Sequence, residues 1–242
     1  MEPLIVVGAL ATAGYLLATS ETRETLGIDR TRTLVDYSVQ GSTFEDIQTA
    51  LKKGFRLIEL HVYSDAQDQP VVALHSNYDG MTDRSFESCC VTIVNHAFPS
   101  NDPLILSLVL HTDKSFTLNR VAYHLKTTVR KQMKSLDLTS ASLDSLANTL
   151  ILVSGNEARG TDLEPLLSLS WNQSHLRRLT YQQAAHPREP EELRAFTQSH
   201  IALVAPDPAF SKFKVMDDVY AYGCQWNLCP LSFAQPGFIP RE

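Results

Sequence analysis

The sequence has no surplus of positive charge: 21 Lys and Arg stand against 27 Asp and Glu, a formal net charge of −6. A general nucleic-acid binder needs a basic surface to neutralise phosphates, so nucleic acid is excluded as a partner. Cysteine is scarce, with only Cys89, Cys90, Cys224 and Cys229. Adjacent Cys89 and Cys90 would rarely bridge each other, and four cysteines in so long a chain make no disulfide framework. None has zinc-ligand spacing with nearby histidines, so they read as buried free thiols. The chain also lacks a GxSxG elbow, a phosphate-binding Gly-rich loop, an HExxH motif, internal repeats and low-complexity tracts. The glycosylation sequon Asn172-Gln173-Ser174 matters only in a secreted chain and reads as chance. What is present is a hydrophobic share of 43% with 20% charged residues in 242 positions, which suits one large globular domain.

Pro3 to Ala18 (PLIVVGALATAGYLLA) carries no charge. As a helix it spans about 24 Å, against a hydrocarbon core of about 30 Å. A cleaved signal peptide wants a basic n-region, whereas the only early side-chain charge is Glu2. A buried core helix usually alternates with polar positions, and this segment is apolar all round. Residues 1–20 therefore read as a retained hydrophobic anchor helix, with 21–33 as linker and 34–242 as the main domain. Arg23, Arg30 and Arg32 follow the segment and nothing basic precedes it, which places the domain on the cytoplasmic side of the membrane.

Beyond the linker, apolar runs alternate with helical patterns. Phe44, Ile47 and Leu51 share one helical face, with Ser42 or Thr43 as the expected cap and Gly54 as the stop. Phe55–Tyr63 and Gln69–Leu74 read as strands, Phe86–Phe98 as a helix, and Leu104–Leu110 (LILSLVL) as a strand covered on both faces. Val121, Leu125, Val129 and Leu136 form a helical stripe with Arg120, Lys126, Lys131 and Lys134 off it. Leu150–Val153, His200–Val204 and Tyr222–Leu228 supply later strands, while the polar stretch from Trp171 to Glu192 reads as a long loop with some helix. Strand and helix in alternation predict a parallel sheet with covering helices, economically closed into a barrel.

Three stretches carry a family resemblance. Ala50-Leu51-Lys52-Lys53-Gly54-Phe55-Arg56-Leu57-Ile58-Glu59-Leu60, with Pro70-Val71-Val72 after it, is similar to the AL-x-x-GCRCVELD strand of phosphoinositide-specific phospholipase C. Ala97-Phe98 and Asp102-Pro103-Leu104-Ile105-Leu106-Ser107-Leu108 resemble that family's AF…YPVILSL, and Tyr222-Gly223-Cys224-Gln225 resembles its GCQ. Together they cover most of residues 34 to 230 and imply a distorted TIM barrel of the phospholipase C type. Asn101-Asp102-Pro103-Leu104 and Glu59…Tyr63-Ser64 resemble the divergent members encoded by large DNA viruses, in which a short N-terminal anchor suits a virion membrane or minor capsid protein.

The family's reaction implies two histidines as proton carriers and, in eukaryotic members, a calcium ion on acidic and amide oxygens. Where the first histidine belongs, this chain reads Leu34-Val35-Asp36-Tyr37-Ser38-Val39-Gln40-Gly41. Glu59 matches the first acidic calcium ligand, His61 stands at the second and Val109 at the third, so the resemblance implies that the calcium site is lost and no cofactor remains. His75 falls near the second histidine, either as a relic of the reaction or as a loop histidine without a role. Ser154 stands where the family has a lysine, and Leu203 and Ala205 near its arginine and tyrosine. His61 and His111 emerge at strand ends and, with His75, suggest a transition-metal site, although such histidines are more often hydrogen-bonded structural residues. The resulting expectation is an inactive barrel tethered to a membrane through residues 3–18 and working through protein partners, such as capsid or membrane proteins. The alternative is an active phosphodiesterase cleaving phosphatidylinositol or a related phospholipid around Glu59 and His75.

Overall fold

A computed structural model describes residues 28–43, 46–73, 84–171, 173–206, 220–230 and 233–241. The segment Pro3–Ala18 and His75 lie outside them. Among the described residues no helix is long and apolar enough to cross a membrane.

The strands are β1 (Tyr37–Thr43), β2 (Leu57–Ser64), β3 (Pro70–Val72), β4 (Arg84–Ser85), β5 (Leu104–Leu110), β6 (Leu150–Ser154), β7 (Leu169–Ser170), β8 (Leu176–Thr180), β9 (Ile201–Ala205), β10 (Trp226–Leu228) and β11 (Phe238–Pro240). The helices are α1 (Ile47–Lys52), α2 (Phe86–His96), α3 (Ser115–Thr128), α4 (Tyr181–Ala185) and α5 (Pro190–Thr197). Eight strands form one parallel sheet in the order β7-β6-β5-β2-β1-β10-β9-β8. The sheet curls into a nearly closed barrel, with β3, β4 and β11 added antiparallel.

Alternation along the strands sorts the core into two layers. Ile58, Leu60 and Val62 of β2, with Leu104, Leu106 and Leu108 of β5, pack outward against α1, α2 and α3. Leu57, Ile105, Ile151, Leu176, Ile201 and Trp226 point inward and meet at the N-terminal half of the barrel. That half is filled with apolar side chains, as barrels of this kind require. Gly41 is needed where β1 meets β2, because a Cβ there would stand 2.0 Å from the Leu57 carbonyl oxygen.

The expected helix after the linker starts later than the sequence suggests. Thr43 is committed to the sheet opposite Glu59, so neither it nor Ser42 caps the helix. Asp46 does, its carboxylate accepting from the Thr49 N–H at 3.1 Å. Gly54, at φ 87°, ends the turn after α1. The stretch after Trp171 holds the helix expected there, α4, but also a strand, β8, where loop was expected. Its sequence Leu-Arg-Arg-Leu-Thr hides the strand, because Arg178 points inward where an apolar residue is expected. The last expected strand shrinks to Trp226–Leu228, since Gly223 turns at φ 80° just before it.

Candidate functional site: the polar mouth of the barrel

The inward residues change character toward the C-terminal ends of the strands. After Leu57, the next inward positions on β2 are Glu59, His61 and Tyr63, and β5 offers Ser107 and then His111 just past its end. Glu59 is 2% exposed. An isolated carboxylate so deep would lose its charge, so its partners decide its state. The Arg178 guanidinium grips it bidentately, Nη1 to Oε2 at 2.5 Å and Nη2 to Oε1 at 2.9 Å. Because β8 is four strands from β2 along the sheet, this pair crosses the barrel interior. The Ser107 hydroxyl donates to Oε2 at 2.8 Å, and His61 Nε2 approaches Oε1 at 3.4 Å. Burial alone would raise the Glu59 carboxyl, but His61, the bonds and charge of Arg178, and Ser107 hold it down at about 2.

Above the carboxylate the two histidines face each other. His61 Nδ1 and His111 Nε2 are 3.0 Å apart, so one ring donates and the other accepts. The His111 ring stacks on Tyr63 with centroids 4.4 Å apart. Burial, with His61 beside it, holds the His111 imidazole below its ordinary value, so it is neutral at neutral pH. Arg178 also lies over the Trp171 ring, 5.0 Å from its centroid. Trp171 directly follows β7, so this contact bridges the two edge strands, β7 and β8, with side chains.

The structure thus brings Glu59, His61 and His111 together, while His75 lies outside the described residues. Among the described residues, no group of three or more His, Cys, Asp or Glu side chains is placed to hold a metal ion. Ser154 is fully buried and donates to the Leu108 carbonyl at 2.8 Å, a structural bond within the sheet. Leu203 and Ala205 are core residues. Sequence reasoning missed Arg178 and Trp171; the signal for the arginine was a buried carboxylate on β2 with no cation assigned to it.

At the opposite end of the barrel a second polar cluster serves the fold. Buried Arg56 donates to the Ala97 carbonyl at 2.7 Å and to Ser100 at 3.0 Å, and Asp102 joins it to Arg30. Gln225, in the stretch similar to GCQ, accepts from the Ala202 N–H at 2.9 Å and donates to the Thr197 and His200 carbonyls. The motifs that carry the resemblance therefore hold the barrel together.

Comparison with known proteins agrees with this frame. The family model for the phosphatidylinositol-specific phospholipase C X domain matches residues 30–153. The chain belongs to that family. PLC21 of S. officinalis has a similar structure, with a TM-score of 0.67 and 15% identity over 83% of this chain and 34% of its own. The chain thus spans about a third of that protein's length. The calcium-dependent phosphoinositol-specific phospholipase C of a Pseudomonas species gives a TM-score of 0.59 at 11% identity, covering 88% of this chain and 96% of its own. The calcium-dependent enzyme of Streptomyces antibioticus gives 0.56 at 13%, covering 86% and 99%. At these identities the likeness is one of fold. Comparison with curated proteins gives no match.

Proposed function

We propose that this is a membrane-anchored phospholipase-C-like barrel that no longer performs phospholipase chemistry and acts as a structural or interaction protein. The observation that carries the reading is the saturation of Glu59. Both of its oxygens are already engaged, by a bidentate arginine and a serine hydroxyl, so the carboxylate has little left to offer a cation. A calcium ion wants six to eight oxygen ligands. The neighbouring positions supply the imidazole of His61 and the alkyl side chain of Val109, and the residues present do not fit that ion. Arg178 supplies the positive charge instead, from a different strand. The resemblance to viral members adds the setting of a virion membrane or minor capsid protein, with the anchor at residues 3–18 supporting it.

The purified full chain should release no inositol phosphate from phosphatidylinositol vesicles, with or without added calcium. Turnover that disappears in His75→Ala or His111→Ala would overturn the reading in favour of an active phosphodiesterase, for which the neutral His111 ring would be the obvious base. For the anchor, the chain should stay with membranes through carbonate extraction, and release into the soluble fraction would contradict it.

A further inference from the structure

In a chain of net charge −6, residues 114–136 hold Lys114, Arg120, Lys126, Arg130, Lys131 and Lys134 and no Asp or Glu. Helix α3 turns Leu118, Val121, Ala122 and Leu125 into the core. Its other side carries two large exposed aromatics, Phe116 at 58% and Tyr123 at 61%. Phe116, Arg120, Tyr123 and Thr127 are spaced three or four apart and so share one stripe, with Lys126 beside it. The Arg120 guanidinium lies 5.1 Å from the centre of the Phe116 ring. Among the described residues no carboxylate pairs with Lys126, Arg130 or Lys131, which lie exposed at the end of the helix and in the turn after it.

A solvated helix face needs charge but not exposed rings, and a protein-binding face usually sheds lysine. Rings and cations on one face match an anionic bilayer surface, where aromatic side chains settle at headgroup level among attracted lysines and arginines. We infer that the α3 face, with the basic turn that follows it, docks on an anionic lipid surface.

This goes beyond the anchored-barrel reading and draws on it only for the presence of a membrane. Its consequence is orientation. Helix α3 starts just past His111 at the mouth and must run back along the flank for β6 to be parallel to β5. A bilayer against that flank meets the barrel side-on, and the mouth does not face the lipid.

The test uses the full chain carrying Tyr123→Trp, with vesicles of phosphatidylcholine alone or mixed with phosphatidylserine. Emission is read as the difference from the parent chain, which contributes Trp171 and Trp226. The added indole should shift to the blue, and be quenched by brominated acyl chains, only when phosphatidylserine is present. Lys126→Gln, Arg130→Gln and Lys131→Gln combined should lower the docked-to-undocked ratio roughly a hundredfold, at about fivefold for each charge removed. All three are exposed, and circular dichroism checks that the fold is kept. The same emission on both vesicles overturns the inference, as does a triple variant that responds like its parent. Soluble polyglutamate producing the shift as well as phosphatidylserine does would also overturn it, in favour of an acidic protein partner. Flotation with phosphatidylcholine vesicles reports the anchor separately, so its failure is distinguishable from failure of the α3 face.

Discussion

Removing Arg178 should reveal how the barrel interior is balanced. The Glu59 carboxyl is held at about 2 in the fold against an ordinary 4.5. That depression is worth about 3 kcal/mol, at roughly 1.4 kcal/mol per tenfold change in proton affinity. The sign follows from which state takes the proton first. The unfolded chain binds it at higher pH, so the stabilisation is complete above about pH 4.5 and drains away as pH falls toward 2. Breaking a buried pair typically costs about 3–5 kcal/mol because the remaining charge is left uncompensated. Arg178 is 22% exposed and Ser107 would still donate, so the loss in Arg178→Ala should be smaller. We expect about 2–3 kcal/mol, a fall in Tm of roughly 5–10 °C for a chain of this length. In that variant only His61 and Ser107 still oppose burial, so Glu59 should titrate higher than it does in the parent. The variant should therefore lose less stability than the parent as pH falls from 5 toward 3. Urea unfolding at both pH values, in a cycle with Glu59→Gln, measures this directly. A coupling energy below about 0.5 kcal/mol, or parallel pH profiles for parent and variant, would refute the reasoning.

Two further substitutions probe the frame around the site. Gly41→Ala forces a Cβ against the Leu57 carbonyl between β1 and β2, where backbone cannot yield cheaply; we expect a loss of at least about 3 kcal/mol or an insoluble chain. An unchanged Tm would show that the strands separate there at little cost. Gln225→Leu should cost about 3 kcal/mol, since it strips partners from the Ala202 N–H and from the Thr197 and His200 carbonyls in the interior. Denaturant midpoints within error of the parent would count against that role.

The fold was legible wherever a strand is apolar on both faces. Leu104–Leu110 lies between the helices and the barrel interior and reads as strand over its full length. The sequence was opaque at β1 and β8, for different reasons. In β1, Tyr-Ser-Val-Gln-Gly-Ser-Thr carries a small or polar residue at most positions, and at Gly41 the approach of Leu57 leaves no room for a side chain at all. In β8, adjacent arginines break the period-two pattern. Arg177 turns out to Glu192 with a bidentate bond of 2.6 and 2.7 Å, and Arg178 turns in to Glu59. No local pattern distinguishes those two arginines, because their difference lies in partners far along the chain.

The site was half legible for the same reason. Glu59 announces itself by its place in a strand motif, but its partner is 119 residues away in a stretch with no apolar signal. A stricter physical demand would have found it. Leu57, Glu59 and His61 alternate on one side of a strand whose other side is Ile58, Leu60 and Val62, so the carboxylate must point into a closed interior. A buried carboxylate requires a cation or donors, and without acidic neighbours at His61 and Val109 a metal is a poor candidate. The interior also needs eight strands, and the sequence pattern yields too few parallel ones between Leu150 and Leu228. The polar interval after Trp171 has the length for a missing strand and holds Arg177 and Arg178. An unpaired acid and a missing strand thus point to the same residues. The arginine that fills the gap satisfies the fold with the carboxylate that a calcium-dependent reaction would need to keep available.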